Sequence, residues 1–150
     1  MKTLSTAASN PQHVEMLLAA MREIGLFDPL SDEDLRVLAY FVSAVEFDEG
    51  ETAVQKGDLG DTCYIICSGR AEARAPGIWG DEVLGSLGHG DFFGELALLL
   101  DQPRNADVVC LEAVRCLALG RSDLETLMTR SPDVAELVRA IARRRFEESS

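Results

Sequence analysis

Hydrophobic residues recur at helical spacing near both ends of the chain and in shorter runs between them. Gln12–Ile24 carries apolar residues at intervals of three and four, which predicts an amphipathic helix that Gly25 ends. Ser31 suits the N-cap of a second helix, because three acidic residues follow it. The apolar stripe of this helix is Leu35, Leu38 and Phe41. Near the C-terminus, Ser131 and Pro132 are typical of a helix start. The apolar face of that helix is Val134, Leu137, Val138 and Ile141.

Between these helices the pattern changes to that of a β protein. Seven apolar or alternating runs occur here, and five glycine-containing turns interrupt them, which predicts short strands and favours a sandwich or barrel. The runs are Ser43–Phe47, Thr52–Gln55, Cys63–Cys67, Arg70–Ala75, Glu82–Leu87, Ala106–Cys110 and Ala113–Leu119. We therefore expect a polar N-terminal lead (1–11) and one domain (12–150). Its predicted parts are helices over 12–41, strands over 42–120 and helices over 121–146.

The charge balance restricts the partners of this domain. The chain has 14 basic and 26 acidic residues, a net charge of −12. Such a field disfavours nucleic-acid binding, and it means that an anionic ligand needs a local positive pocket. No apolar run is long enough to span a membrane, and no signal-peptide core stands at the N-terminus, so a cytoplasmic protein is expected. The four cysteines match no common zinc spacing and are expected to be reduced, buried thiols.

The stretch that carries chemistry is FGELALLLDQPRNAD, residues 93–107. Gly94 allows a sharp turn and a close approach of the backbone to a ligand. A helical turn that starts there directs free N–H groups and its dipole at an anion. Arg104 adds a charge-assisted, bidentate contact to the same phosphate. The carboxylate of Glu95 repels a phosphate but is a good acceptor for ribose hydroxyl groups.

This stretch closely resembles the phosphate-binding cassette of the cyclic nucleotide-binding domain. That family includes the regulatory subunits of cAMP-dependent protein kinase, the catabolite activator protein and cyclic nucleotide-gated channels. Its cassette reads roughly F-G-E-L-A-L, a variable stretch, then P-R-x-A. A second motif, KGDLGDTCYIICSG at residues 56–69, resembles the family's G-D-x-G-D-x-x-Y-x-I-x-x-G turn and strand. The resemblance extends from about Ile24 to the end of the chain, and two long motifs in this order are specific.

The resemblance implies a mainly β fold with flanking helices. The expected core is an eight-stranded, jelly-roll-like β-roll with N-terminal helices, a short phosphate-binding helix and a C-terminal helical segment. Glu95 is expected to accept the ribose 2′-hydroxyl group, and Arg104 to bind the phosphate. The implied ligand-binding residues are Gly94, Glu95, Leu96, Ala97, Arg104, Asn105 and Ala106.

The choice of base depends on Asn105. In the family an Ala at this position is associated with cAMP and a Thr with cGMP, and Asn105 fits neither pattern. Its amide could reach the phosphate or the edge of a guanine base. The resemblance as a whole makes cAMP the expected ligand, and cGMP stays open. Tyr64, Val83 and Phe93 are candidates for the apolar pocket wall. Asp107 stands where the family often has Thr or Ser, and strand alternation predicts that it points away from Ala106.

The implied function is that of a sensor in which a bound cyclic nucleotide biases the terminal helices toward an effector protein. No catalytic residue, metal or cofactor is predicted. A metal enzyme of the cupin type shares the small barrel but needs several histidines, whereas this chain has only His13 and His89. The other alternative is an interaction module that has lost nucleotide binding. Such domains usually lose the cassette arginine or glutamate, and both are present here. The initial Met1 and the polar lead favour a stand-alone sensor over an excised domain.

Overall fold

The computed structural model describes residues 1–6, 11–57, 60–94 and 106–149. In these ranges, nine strands form two antiparallel sheets. The strands are β1 (Lys2–Thr6), β2 (Ser43–Phe47), β3 (Thr52–Val54), β4 (Thr62–Ser68), β5 (Ala71–Gly77), β6 (Gly80–Leu87), β7 (Phe92–Phe93), β8 (Asp107–Cys110) and β9 (Val114–Gly120). One sheet has the order β1-β2-β9-β4-β7 and the other the order β3-β8-β5-β6. Strands β2 to β9 make up a roll of eight, as predicted.

Helices precede and follow the roll in the sequence. They are α1 (Pro11–Arg22), a 3-10 turn (Gly25–Phe27), α2 (Asp32–Ala39), α3 (Arg121–Arg130) and α4 (Pro132–Ser149). The predicted cap of α2 is confirmed, since the Ser31 hydroxyl accepts a hydrogen bond from the Asp34 N–H at 3.2 Å. The prediction that Phe41 extends the apolar stripe is wrong, because α2 ends at Ala39 and Phe41 is 59% exposed. No helix in the described ranges is long and apolar enough to cross a membrane.

The five-stranded sheet separates two hydrophobic cores. Because side chains alternate along a strand, each of its central strands contributes to both. On β4, Cys63 and Ile65 pack against the helices, whereas Ile66 lies between the sheets. Strand β9 alternates in the same way. The fold is therefore a three-layer arrangement, and a shift in the central sheet reaches the helices directly.

Strand β1 was not predicted. It pairs antiparallel with β2, from Lys2 opposite Glu46 to Thr6 opposite Ser43. Its sequence, KTLST, has no apolar period that would identify a buried strand. The free edge of β2 provides the unpaired N–H and C=O groups that an extended segment satisfies. This element comes from tertiary pairing and not from local pattern.

Candidate functional site

The structure describes the two ends of the cassette. Gly94 follows β7 and has a φ of 87°, a conformation that residues with a side chain rarely adopt. Ala106 immediately precedes β8 and is 6% exposed. The predicted phosphate-binding helix and five of the implied ligand residues lie outside the described residues. These five are Glu95, Leu96, Ala97, Arg104 and Asn105. Of the implied ligand residues, the structure therefore describes Gly94 at the start of the cassette and Ala106 at its end.

Strand β7 fixes the entry to the cassette. Its two residues face opposite sides of the sheet, as strand geometry requires. Phe92 is buried in the core shared with the helices, and Phe93 is buried between the sheets. Both pair with β4, with Tyr64 opposite Phe93 and Ile65 opposite Phe92. Gly94 thus begins directly after a segment that is anchored in both cores.

Three aromatic rings pack together beside this entry. Phe93 stacks on Tyr64 with ring centroids 5.1 Å apart, and Phe47 meets Tyr64 edge-on at 5.3 Å. Such arrangements stabilise aromatic pairs beyond simple burial. Two of the predicted wall residues, Tyr64 and Phe93, are therefore in contact. Phe47 was not singled out from the sequence, although its alternation with the buried Val45 on β2 is a signal that could have identified it.

The third predicted wall residue, Val83, is placed elsewhere. It lies on β6, in the four-stranded sheet, and is 57% exposed. It pairs with Arg74 on β5 and belongs to neither of the two hydrophobic cores. The structure therefore does not bring Val83 together with Tyr64 and Phe93.

The Asp107 carboxylate contacts the turn after β3. Ala106 is buried, while the Asp107 carboxylate accepts a hydrogen bond from the Lys56 N–H at 2.6 Å. The carboxylate therefore stabilises the turn after β3. Strand alternation predicted that Asp107 points away from Ala106, and this agrees. Arg74, opposite Asp107 on β5, is paired with Glu72 through contacts of 2.8 and 3.0 Å. That cation is already neutralised by its own neighbour.

Two buried cysteine thiols face the interior of the roll. Burial raises the pKa of the Cys110 thiol to about 11, and burial raises the pKa of the Cys116 thiol further. Both therefore stay protonated at neutral pH and are poor nucleophiles. In the part of the chain that the structure describes, no cluster of His, Cys, Asp or Glu is suited to hold a metal ion.

Comparison with known proteins identifies the family. Residues 44–131 match the family described as cyclic nucleotide-binding domain. The chain belongs to this family. The cAMP-dependent protein kinase regulatory subunit of Aspergillus niger is 34% identical over 123 residues, which cover 82% of this chain and 29% of that protein. The cyclic AMP receptor protein of Thermus thermophilus is 34% identical over 131 residues, covering 86% of this chain and 60% of that protein.

Solved structures of the cyclic nucleotide-binding domain share the fold. The regulatory domain of Toxoplasma gondii PKA, solved with cAMP, superposes with a TM-score of 0.67 at 29% identity. The match covers 78% of this chain and 45% of that one. The predicted β-roll with flanking helices is thereby confirmed. This chain spans less than two thirds of the length of either curated relative.

Proposed function

We propose that this chain is a sensor domain that binds a cyclic nucleotide, with cAMP as the preferred ligand. The observation that carries the proposal is the cassette sequence: a member of this family retains both Glu95 and Arg104. The kinase regulatory subunit and the receptor protein reported above are named for cAMP, which supports the choice of ligand.

In this proposal the cassette binds the ligand without making or breaking a bond. The Arg104 guanidinium pairs with the cyclic phosphate, and Glu95 accepts the ribose 2′-hydroxyl group. Backbone groups of Gly94, Leu96 and Ala97 complete the cradle, which Asn105 and Ala106 close at its other end. Because the chain carries a net charge of −12, Arg104 is the main local source of positive potential for an anion.

We propose that ligand binding displaces Gly94 and that β7 transmits this displacement to the helices. Phe92 packs in the same core as α1, α2, α3 and α4, so a displacement at Gly94 acts on the layer that carries the helices. The helices would then present a changed surface to an effector protein, and no catalytic step is required. A cytoplasmic location is part of the proposal, because all four cysteines are free thiols, as in a reducing compartment.

Calorimetric titration with cAMP and cGMP tests the proposal. We expect cAMP to bind more tightly than cGMP, and Arg104→Ala to weaken binding at least ~100-fold, since it removes the partner of a desolvated charge. Replacing the ligand with 2′-deoxy-cAMP should weaken binding to the native protein and have little further effect on Glu95→Ala.

A matched control is Arg36→Ala. Arg36 is an exposed arginine on α2 whose guanidinium lies 2.7 Å from the Glu15 carboxylate. Because it is not part of the cassette, its loss should leave nucleotide affinity unchanged. The thermal unfolding midpoint provides an independent measurement. Ligand at about 100 times its dissociation constant should add ~2.7 kcal/mol to the free energy of unfolding. If neither nucleotide raises the midpoint, the domain is an interaction module on the same fold and the sensor proposal is wrong.

A further inference from the structure

His89 connects the segment before the cassette to the end of the first helix. It lies in the turn between β6 and β7, five residues before Gly94. Its Nδ1 atom is 2.8 Å from the carbonyl oxygen of Cys67, at the end of β4. Its Nε2 atom is 3.1 Å from the carbonyl oxygen of Glu23, just past α1. One imidazole ring therefore bridges the central sheet and the helical layer.

The two partners of the ring determine its protonation state. Carbonyl oxygens only accept hydrogen bonds, and a neutral imidazole has a single N–H to donate. Both contacts are hydrogen bonds only when both ring nitrogens carry a proton, so the complete bridge requires the imidazolium form. The hydrogen bond to Cys67 and that to Glu23 accordingly raise the pKa of His89. A cation at the C-terminal end of α1 also suits the dipole of that helix.

The turn that carries His89 is hydrogen-bonded to β4. The Gly90 N–H donates to the Ile66 carbonyl oxygen at 2.8 Å, and the Ile66 N–H donates to the Asp91 carbonyl oxygen at 2.8 Å. Within the turn, the Asp91 carboxylate accepts from the Gly88 N–H at 2.9 Å. The turn is therefore held on the sheet, and the longer of the two ring contacts, 3.1 Å to the Glu23 carbonyl oxygen, joins it to the helical layer.

We propose that protonated His89 is a positioning residue that ties the cassette entry to α1, so that nucleotide affinity depends on pH. The proposal rests on the function proposed above. With the bridge complete, the turn that leads into Phe92 and Gly94 is held against the helical layer, which preorganises the entry to the site. When His89 loses a proton, one of its two hydrogen bonds is lost and water replaces it, because the ring is exposed.

The groups around the ring set the direction of the effect. The carboxylate of Glu23 favours the imidazolium, and the Asp91 carboxylate lies in the same turn. Arg22, beside Glu23, is 3.6 Å from Asp32, and burial raises the pKa of the Cys67 thiol, which therefore stays neutral. A raised folded-state pKa means that the bridge stabilises the protein fully below about pH 6.5, the unfolded value. This stabilisation is lost as the pH rises through the folded-state pKa.

The test compares the two histidines of the chain. Calorimetry with cAMP should show roughly 2- to 10-fold weaker binding above the His89 pKa than below it, in proportion to one lost hydrogen bond. The cyclic phosphodiester stays an anion throughout this range. His89→Gln keeps a donor but does not titrate, so its affinity should be independent of pH. His13→Gln, the matched control, should retain the native pH profile.

A second measurement needs no nucleotide. The ring proton resonances of the free protein, assigned with the two variants, should give His89 a pKa above the ordinary value. Native and His89→Gln proteins with the same pH profile of affinity, or a His89 resonance that titrates without an upward shift, would overturn the proposal. If cAMP does not bind at all, the proposed function and the pH-dependent affinity both fail. The ring titration then still decides whether the bridge itself exists.

Discussion

Gly69, the last residue of the second sequence motif, provides a direct test of the packing between the roll strands. It lies in the turn between β4 and β5 with a φ of 95°. A Cβ atom at this position would stand 2.4 Å from the Ala113 carbonyl oxygen and 2.8 Å from the Val114 Cα atom. Both contacts are with backbone, which cannot rotate away as a flexible side chain can. Gly69→Ala therefore requires the turn or the start of β9 to move.

The expected loss has two parts. Positive φ costs a residue with a Cβ atom about 1–2 kcal/mol, and forcing atoms into a packed region costs about 1–3 kcal/mol. Together these predict a loss of roughly 2–5 kcal/mol in the free energy of unfolding. For a domain of this length the midpoint of thermal unfolding should fall by about 10 °C. Urea denaturation monitored by circular dichroism measures the loss directly.

Substitutions at two other glycines separate the cost of positive φ from the cost of the close contact. Gly50 has a φ of 82°, and a Cβ atom added there would have no neighbour within 4 Å, so Gly50→Ala should lose only the conformational part. Gly85 has the same open space without positive φ, and Gly85→Ala should be close to neutral. If Gly69→Ala is no more destabilising than Gly50→Ala, the close contact with Ala113 does not explain the glycine.

Three further predictions concern the core, a helix cap and the thiols. Phe47→Ala should lower the free energy of unfolding by about 3–5 kcal/mol, because it removes a ring that is 2% exposed; urea denaturation measures this. Ser131→Ala should cost about 1 kcal/mol in the same assay, since its hydroxyl accepts the Val134 N–H at 3.3 Å, whereas Ser131→Asn should retain most of the stability. Cys110, with a pKa of about 11, and Cys116, whose pKa burial raises further, should resist a thiol reagent at about pH 8 in the folded protein and react after unfolding. Rapid labelling of either thiol in the native state would contradict the burial.

Much of the roll could be predicted from the sequence because its strands are local patterns. The run Ser43–Phe47 coincides with β2, and the other predicted runs differ from their strands by one or two residues at an end. Strand β7 was missed because two residues are too few to show an alternation. Strand β1 was missed because its sequence, KTLST, has no apolar period, and only its pairing with β2 makes it a strand.

For the candidate site too, features carried by consecutive residues could be predicted, whereas contacts between different strands could not. The motif from Phe93 to Asp107 indicated the family and predicted the ligand class, because the residues expected to bind a phosphate lie close together in the sequence. Of the three predicted wall residues, Tyr64 and Phe93 stack on each other, whereas Val83 is on the other sheet. Strand alternation says that a residue faces one side of its sheet, but not which residues of other strands meet it there.

The sequence by itself determined most of the helices and strands and the family that the cassette motif resembles, since both are properties of neighbouring residues. Only the tertiary structure decided which distant groups meet. It placed the ring of His89 against the carbonyl oxygen of Glu23, 66 residues away, and the Asp107 carboxylate against the Lys56 N–H, 51 residues away. Hydrophobic periodicity determines which face of an element is buried. It carries no information on the long-range hydrogen bonds that form once the layers are packed, and such a bond connects the cassette entry to the first helix.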